Sequence, residues 1–194
     1  MTWDEIDLMI KQADEYALPP ELIARQLASE GRNKYYNLFS RLYRSYQGVF
    51  LEIGCWRGCV AAHTVGQPLP NPEAIHVGID INPVNFSHPN FLFIQADATD
   101  KTIADQVKAV SDYYGGVFCV FHDSSHHYDA SCKEWELYRP LVKPGGIWVS
   151  DDVTESFKRP EDEKSMAVWF DDLPGEKKVF DTLHHGSKMG IVLC

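Results

Sequence analysis

VFLEIGCWRGCV, residues 49–60, is a short apolar run that ends in an acid, Glu52, turns through Gly54 and Gly58, and enters a helical pattern at residues 59–65. A strand, a glycine turn and a helix N-terminus in that order let a ligand lie against bare backbone. Glycine has no side chain to hold a ligand off, and the first turn of a helix carries unpaired N–H groups. The dinucleotide fingerprint G-x-G-x-x-G is related but differs, because Trp56 and Arg57 stand where a pyrophosphate needs close backbone approach. An ordinary βα turn has the same outline, so the meaning of the stretch depends on its surroundings.

Upstream, Thr2 and Glu5 are spaced as a capping box, and Trp3, Ile6, Met9, Ile10, Ala13 and Tyr16 recur at helical intervals, predicting a helix over 2–17. Pro19 and Pro20 end it; residues 21–30 read as a second helix stopped by Gly31, and 33–46 as a third with Leu38, Phe39, Leu42, Tyr43 and Tyr46 on one face. Downstream, strands are predicted at 75–79, 91–95, 116–121 and 147–150, and helices at 102–110, 130–142 and 164–173. Lys143-Pro144-Gly145-Gly146 is read as stopping the helix before the fifth strand, and 178–183 with 189–193 as two closing strands around a short His-Gly-Ser turn.

Strands that alternate with helices predict an α/β fold with a mostly parallel sheet, whose strands all present their C-terminal ends along one edge. Ligands bind at that edge in open sheets of this kind. Here each parallel strand delivers a carboxylate to it: Glu52, Asp80, Asp97, Asp123, and Asp151 with Asp152. Single acids after strands are usually turn formers or caps. Six on one edge repel one another and require cations or hydrogen-bond donors between them.

The chain has 194 residues, enough for one well-filled domain and short for two, so a single domain is expected: a helical cap over 1–47 and a core over 48–194. No run of about 18 apolar residues occurs, and the first residues carry acids rather than the bases of a secretory signal, which predicts a cytoplasmic protein that does not enter a membrane. Cys55, Cys59, Cys119, Cys132 and Cys194 lack paired spacing and fit reduced thiols. A net charge of -10 argues against nucleic acid, whose binding needs cationic side chains. Residues 151–176 hold nine acids and three bases, so this segment alone contributes -6; most of these acids read as a solvated surface.

Together these motifs resemble the class I S-adenosylmethionine-dependent methyltransferases over residues 49–194. EIGCWRG matches their first motif in its E-x-G-x-x-x-G form, HVGID the second, FIQADA the third, and LVKPGGIWVSDD the run into the fifth strand. The resemblance implies a Rossmann-like, mostly parallel seven-stranded sheet with a closing antiparallel hairpin. It further implies that Glu52, Gly54 and Gly58 hold the methionine end of the cofactor, Asp80 the ribose hydroxyls, and Asp97 with the Ala98 backbone the adenine.

Within that class, HDSSHHYD followed by SDD is similar to the metal-dependent O-methyltransferases, including catechol, macrolide-sugar and cephalosporin-hydroxylase-like relatives. The match implies that Asp123, Asp151 and Asp152 bind Mg²⁺ (or Mn²⁺ or Ca²⁺), that His126 is the base, and that the acceptor is a hydroxylated small molecule. Catechol-type enzymes commonly have lysine where His126 stands, which shifts the expectation toward sugars and natural products. His127 competes with His126 for the role of base, whereas strand alternation turns His122 away from Asp123. A metal-dependent hydrolase or hydroxylase leaves Asp80 and Asp97 without a role, and a catalytically idle binding module does not need the metal carboxylates or the base. Oligomeric state is left open, a homo-oligomer included.

Overall fold

The strands form one seven-stranded sheet in the order β3-β2-β1-β4-β5-β7-β6 in a computed structural model that describes residues 1–13, 33–66, 71–156, 158–181 and 188–194. The strands are β1 (Gly48–Ile53), β2 (Ala74–Asp80), β3 (Phe91–Gln95), β4 (Val117–His122), β5 (Val142–Ser150), β6 (Lys177–Asp181) and β7 (Lys188–Leu193). β1 to β5 run parallel, and β7 pairs antiparallel with both β5 and β6. The expected mostly parallel sheet with a closing antiparallel hairpin is therefore present. Chain order reverses between β1 and β4, and this switch point opens a crevice at the strands' C-terminal ends.

Alternation along β1 divides the core into two layers. Phe50 packs on one face with Ile6, Phe39, Leu42 and Tyr43, residues of helices α1 (Trp3–Ala13) and α2 (Asn33–Ser45). Val49, Leu51 and Ile53 pack on the other face with Val107, Tyr138 and Trp169, from α4 (Lys101–Tyr114), α5 (Tyr128–Tyr138) and α6 (Met166–Asp172). The capping box of α1 is formed, with the Thr2 amide donating to Glu5 Oε2 at 2.7 Å and the Glu5 amide to Thr2 Oγ1 at 3.3 Å. Helix α3 (Cys59–Val65) is buried at every residue and leads away from the glycine turn.

Several boundaries differ from the sequence reading. The helix predicted over 130–142 ends at Tyr138 and passes through a short 3-10 turn, Arg139–Leu141. Lys143-Pro144-Gly145-Gly146 is part of β5, which starts at Val142 instead of 147; a register shift between Val117 and Cys119 of β4 accommodates the extra residues as a bulge. α4 runs to Tyr114, four residues past its predicted end, and stops at Gly115 in the left-handed conformation. The helix predicted over 21–30, the continuation of the first helix to 17 and the His-Gly-Ser turn lie outside the described residues. Among the described residues no helix is long and apolar enough to cross a membrane.

Phe39 joins α2 to the sheet, its ring centroid 5.4 Å from that of Phe50 and 4.5 Å from that of Phe121. Phe39→Ala is expected to lower stability by about 3–5 kcal/mol. Urea unfolding followed by circular dichroism should show one cooperative transition at a lower midpoint; a separate early transition would mean that the N-terminal helices form a unit of their own.

Candidate active site

A cavity of about 1070 Å³ opens at the switch point, lined by Gly54 and Trp56 of the glycine turn, by Asp80, Asp97 and Ala98, and by Asp123, His126 and Asp152. Asp80, at the end of β2, braces the turn from below: its Oδ2 accepts the amides of Cys55 and Trp56, each at 2.8 Å, and its Oδ1 accepts that of Asn82 at 2.8 Å. Asp97 Oδ1 accepts both the amide and the hydroxyl of Thr99 at 2.8 Å. The Ala98 carbonyl accepts the Tyr138 hydroxyl at 2.9 Å, which ties α5 to the same rim.

The requirement for glycine in the turn comes from the protein's own chain. A Cβ on Gly54, at φ +88°, would stand 2.0 Å from the Asp123 carbonyl oxygen, and one on Gly58, at φ +77°, would stand 2.7 Å from Val84 and 3.0 Å from Phe86. Gly58 thus seats the proline-containing loop over 81–90, which has no helix. Glu52 does not line the cavity. It is buried behind the turn, where the Glu52 Oε2 and His76 Nε2 atoms are 2.8 Å apart, and His76 Nδ1 lies 2.6 Å from Thr64 Oγ1. Burial pushes the Glu52 carboxyl up and the His76 imidazole down to about 3.

Beyond β4 and β5 the chain brings together Asp123, His126 and Asp152, with one ligand atom from each inside a 4.8 Å group. His126 Nε2 lies 3.5 Å from Asp123 Oδ1 and 3.6 Å from Asp152 Oδ2. Asp151 lies outside this group; it is buried, and its Oδ1 accepts the Asp152 amide at 2.9 Å. His126 (φ 57°), Asp152 (φ 55°) and Trp56 (φ 48°) are the non-glycine residues in the left-handed region among the described residues, and all line the cavity. Such conformations cost on the order of 1–3 kcal/mol each and persist where the surroundings fix them. Burial, with a smaller contribution from His122, pushes the His126 imidazole down to about 4, against the pull of Asp152.

The other two histidines of HDSSHHYD point elsewhere. His127 faces Glu161 and Asp162, with its Nδ1 3.6 Å from each. His122 is fully buried behind the cavity, its Nε2 2.8 Å from Glu134 Oε2, and Ser124 Oγ donates to the same oxygen at 2.7 Å. Sequence reasoning missed Glu134, a buried acid that lines the cavity. Its signal was helical spacing: Ser131, Glu134 and Tyr138 form the inward stripe of α5, but the stripe is largely polar and escapes a search for apolar periodicity. Tyr36 on α2 also lines the cavity and stacks on His63 with centroids 4.4 Å apart.

This sheet order, with its crevice at the switch point, defines a Rossmann-like methyltransferase fold. MycE, a methyltransferase from the mycinamycin biosynthetic pathway in complex with Mg, SAH and mycinamycin VI, shares it at 20% identity and a TM-score of 0.61, over 88% of this chain and 52% of that one. CalS11, a TDP-rhamnose 3'-O-methyltransferase of calicheamicin biosynthesis, shares it at 14% identity and a TM-score of 0.61, over 98% and 93% of the two chains. Residues 49–171 match the rhamnosyl O-methyltransferase/CmcI family, and the chain belongs to that family. Over 88 residues it is 28% identical to a rhamnosyl O-methyltransferase of Mycobacterium bovis (strain BCG / Pasteur 1173P2); the match covers 45% of this chain and 36% of the relative's length.

His63 on α3 supplies a pH test. Its Nδ1 lies 2.8 Å from the Cys59 carbonyl oxygen, its Nε2 is buried without a hydrogen-bond partner among the described residues, and burial holds its imidazole below the ordinary 6.5. Between the lowered value and 6.5 the unfolded chain binds a proton that the folded chain does not, so this stability is complete above pH 6.5 and is lost as pH falls. His63→Phe keeps a ring against Tyr36, and its urea midpoint is expected to fall less between pH 7.5 and 5.5 than that of the unaltered protein. An equal fall in both would assign the acid sensitivity elsewhere.

Proposed function

We propose that this chain is an S-adenosylmethionine-dependent, divalent-metal-dependent O-methyltransferase acting on a hydroxyl of a sugar or other small natural product. The observation that carries this reading is that Asp123, His126 and Asp152 share one cavity with Asp80, Asp97 and Ala98. Family membership supports it, as do the Mg and SAH bound by MycE.

The residues present fit both groups. Two carboxylates with oxygens inside a 4.8 Å group suit a hard divalent ion, Mg²⁺ before Mn²⁺ or Ca²⁺. Asp123 and Asp152 would hold it; Asp151, the third ligand expected from the sequence, lies outside the group. Asp80 Oδ1 carries one amide bond where Oδ2 carries two, so acceptor capacity remains for the ribose hydroxyls. Asp97 and the Ala98 backbone are assigned to the adenine end, and Glu52, Gly54 and Gly58 to the methionine end, with Glu52 acting from behind the turn. When bound, the sulfonium supplies the methyl group and the divalent ion lowers the pKa of the acceptor hydroxyl.

The chain's own part is to hold the acceptor in line and take its proton. An aliphatic hydroxyl with a pKa of ~16 costs about 12 kcal/mol to ionise at pH 7, against about 4 for a phenol, more than a neutral imidazole supplies alone. That mismatch is the physical reason for setting His126 beside two metal-binding carboxylates. Burial keeps the His126 ring in its neutral, proton-accepting form at neutral pH.

The direct test is turnover with S-adenosylmethionine and Mg²⁺ against deoxysugar conjugates, macrolides and catechols. Asp152→Asn is expected to weaken Mg²⁺ binding about 10-fold or more while leaving S-adenosylhomocysteine affinity by calorimetry nearly unchanged. Undiminished turnover in EDTA would remove the metal from the mechanism. His126→Ala should lower turnover on the order of 10²-fold or more with cofactor affinity retained, and a larger loss in His127→Ala would transfer the role of base to His127.

A further inference from the structure

Glu134 has no role in the reading above, yet its placement is that of a recognition group. It lines the cavity at 3% exposure, on a helix whose Tyr138, one turn further on, is bonded to the Ala98 carbonyl. Its carboxylate faces the same cavity as Ala98 and Thr99, whose end the cofactor reading assigns to adenine, and as Asp123 and His126. Both of its hydrogen bonds, from His122 Nε2 at 2.8 Å and Ser124 Oγ at 2.7 Å, fall on Oε2. Those donors fix the plane of the carboxylate and leave the acceptor capacity of Oε1 for a donor in the cavity. Asp97, the acid expected at this end, likewise has one oxygen bound, by both donors of Thr99, but differs from the buried Glu134 in lying exposed at the rim.

We propose that Glu134 selects the adenine base by accepting a hydrogen bond from its exocyclic amine. The assignment rests on the cofactor reading above and adds the residue that distinguishes an aminopurine from other bases. A buried carboxylate left facing a base without that donor loses a charge-assisted bond and stays desolvated. His122 and Ser124 serve as positioning residues, since their donors set the orientation of the acid.

The test compares S-adenosylhomocysteine with its 6-deamino analogue, in which purine riboside replaces adenosine, by calorimetry. The unaltered protein is expected to favour the amine-bearing ligand by about 10-fold to 100-fold. In Glu134→Gln the two buried donors hold the amide oxygen and turn the NH₂ toward the cavity, so the preference should collapse to less than about threefold. Asp97→Asn should keep the preference. Equal binding of the two ligands by the unaltered protein overturns the role of Glu134 alone, whereas binding of neither overturns the cofactor reading and this assignment with it. Undiminished preference in a folded Glu134→Gln also overturns it. Should Glu134→Gln not fold, an Asp97→Asn protein that retains the preference supports Glu134, and one that loses it moves the role to Asp97.

Discussion

Gly54 lies so close to the Asp123 carbonyl that no side chain fits between them, and this contact sets the geometry of the site. The Asp123 amide donates to the Ile53 carbonyl at 2.9 Å and the Gly54 amide donates to the Ile79 carbonyl at 2.9 Å. The ladder thus holds together past the last paired residues of three strands. The glycine turn and the loop that follows β4 are two sides of one junction, and altering either moves the other.

Six carboxylates gathered on one edge repel one another, and the fold answers each separately. Glu52 is buried against His76, Asp80 accepts three amides, Asp97 accepts two donors from Thr99, and Asp151 accepts an amide. Asp123 and Asp152 meet around His126. Asp80, Asp97 and Asp151 thus hold turns and loops through backbone donors. Asp123 and Asp152 are the acids of this set that converge on one histidine in the cavity.

Backbone strain follows the same division. Trp56, His126 and Asp152 take left-handed conformations in a chain that otherwise reserves them for glycine among the described residues. Such conformations persist where the surrounding structure fixes them. The N-terminal helices contribute through Tyr36, which reaches the cavity from α2 and rests on the ring of His63.

The sequence by itself determined the alternation of strands and helices, the mostly parallel sheet with its antiparallel close, and the edge on which every acid lies. These follow from periodicity and from the rule that parallel crossovers align strand ends. The resemblance of HDSSHHYD to metal-dependent O-methyltransferases pointed to Asp123 and His126, with His127 left as a competitor. Only the tertiary structure decided which acid joins them, because the turn of Asp152 into the cavity depends on a left-handed backbone that no residue pattern announces. The same holds for His127, which faces Glu161 and Asp162 of the acidic loop, and for the beginning of β5, where a bulge absorbs residues that read as a helix stop. Glu134 was hidden for a related reason: a buried polar stripe on a helix is stabilised by partners distant in sequence, His122 and Ser124, and chain order alone does not show that they meet.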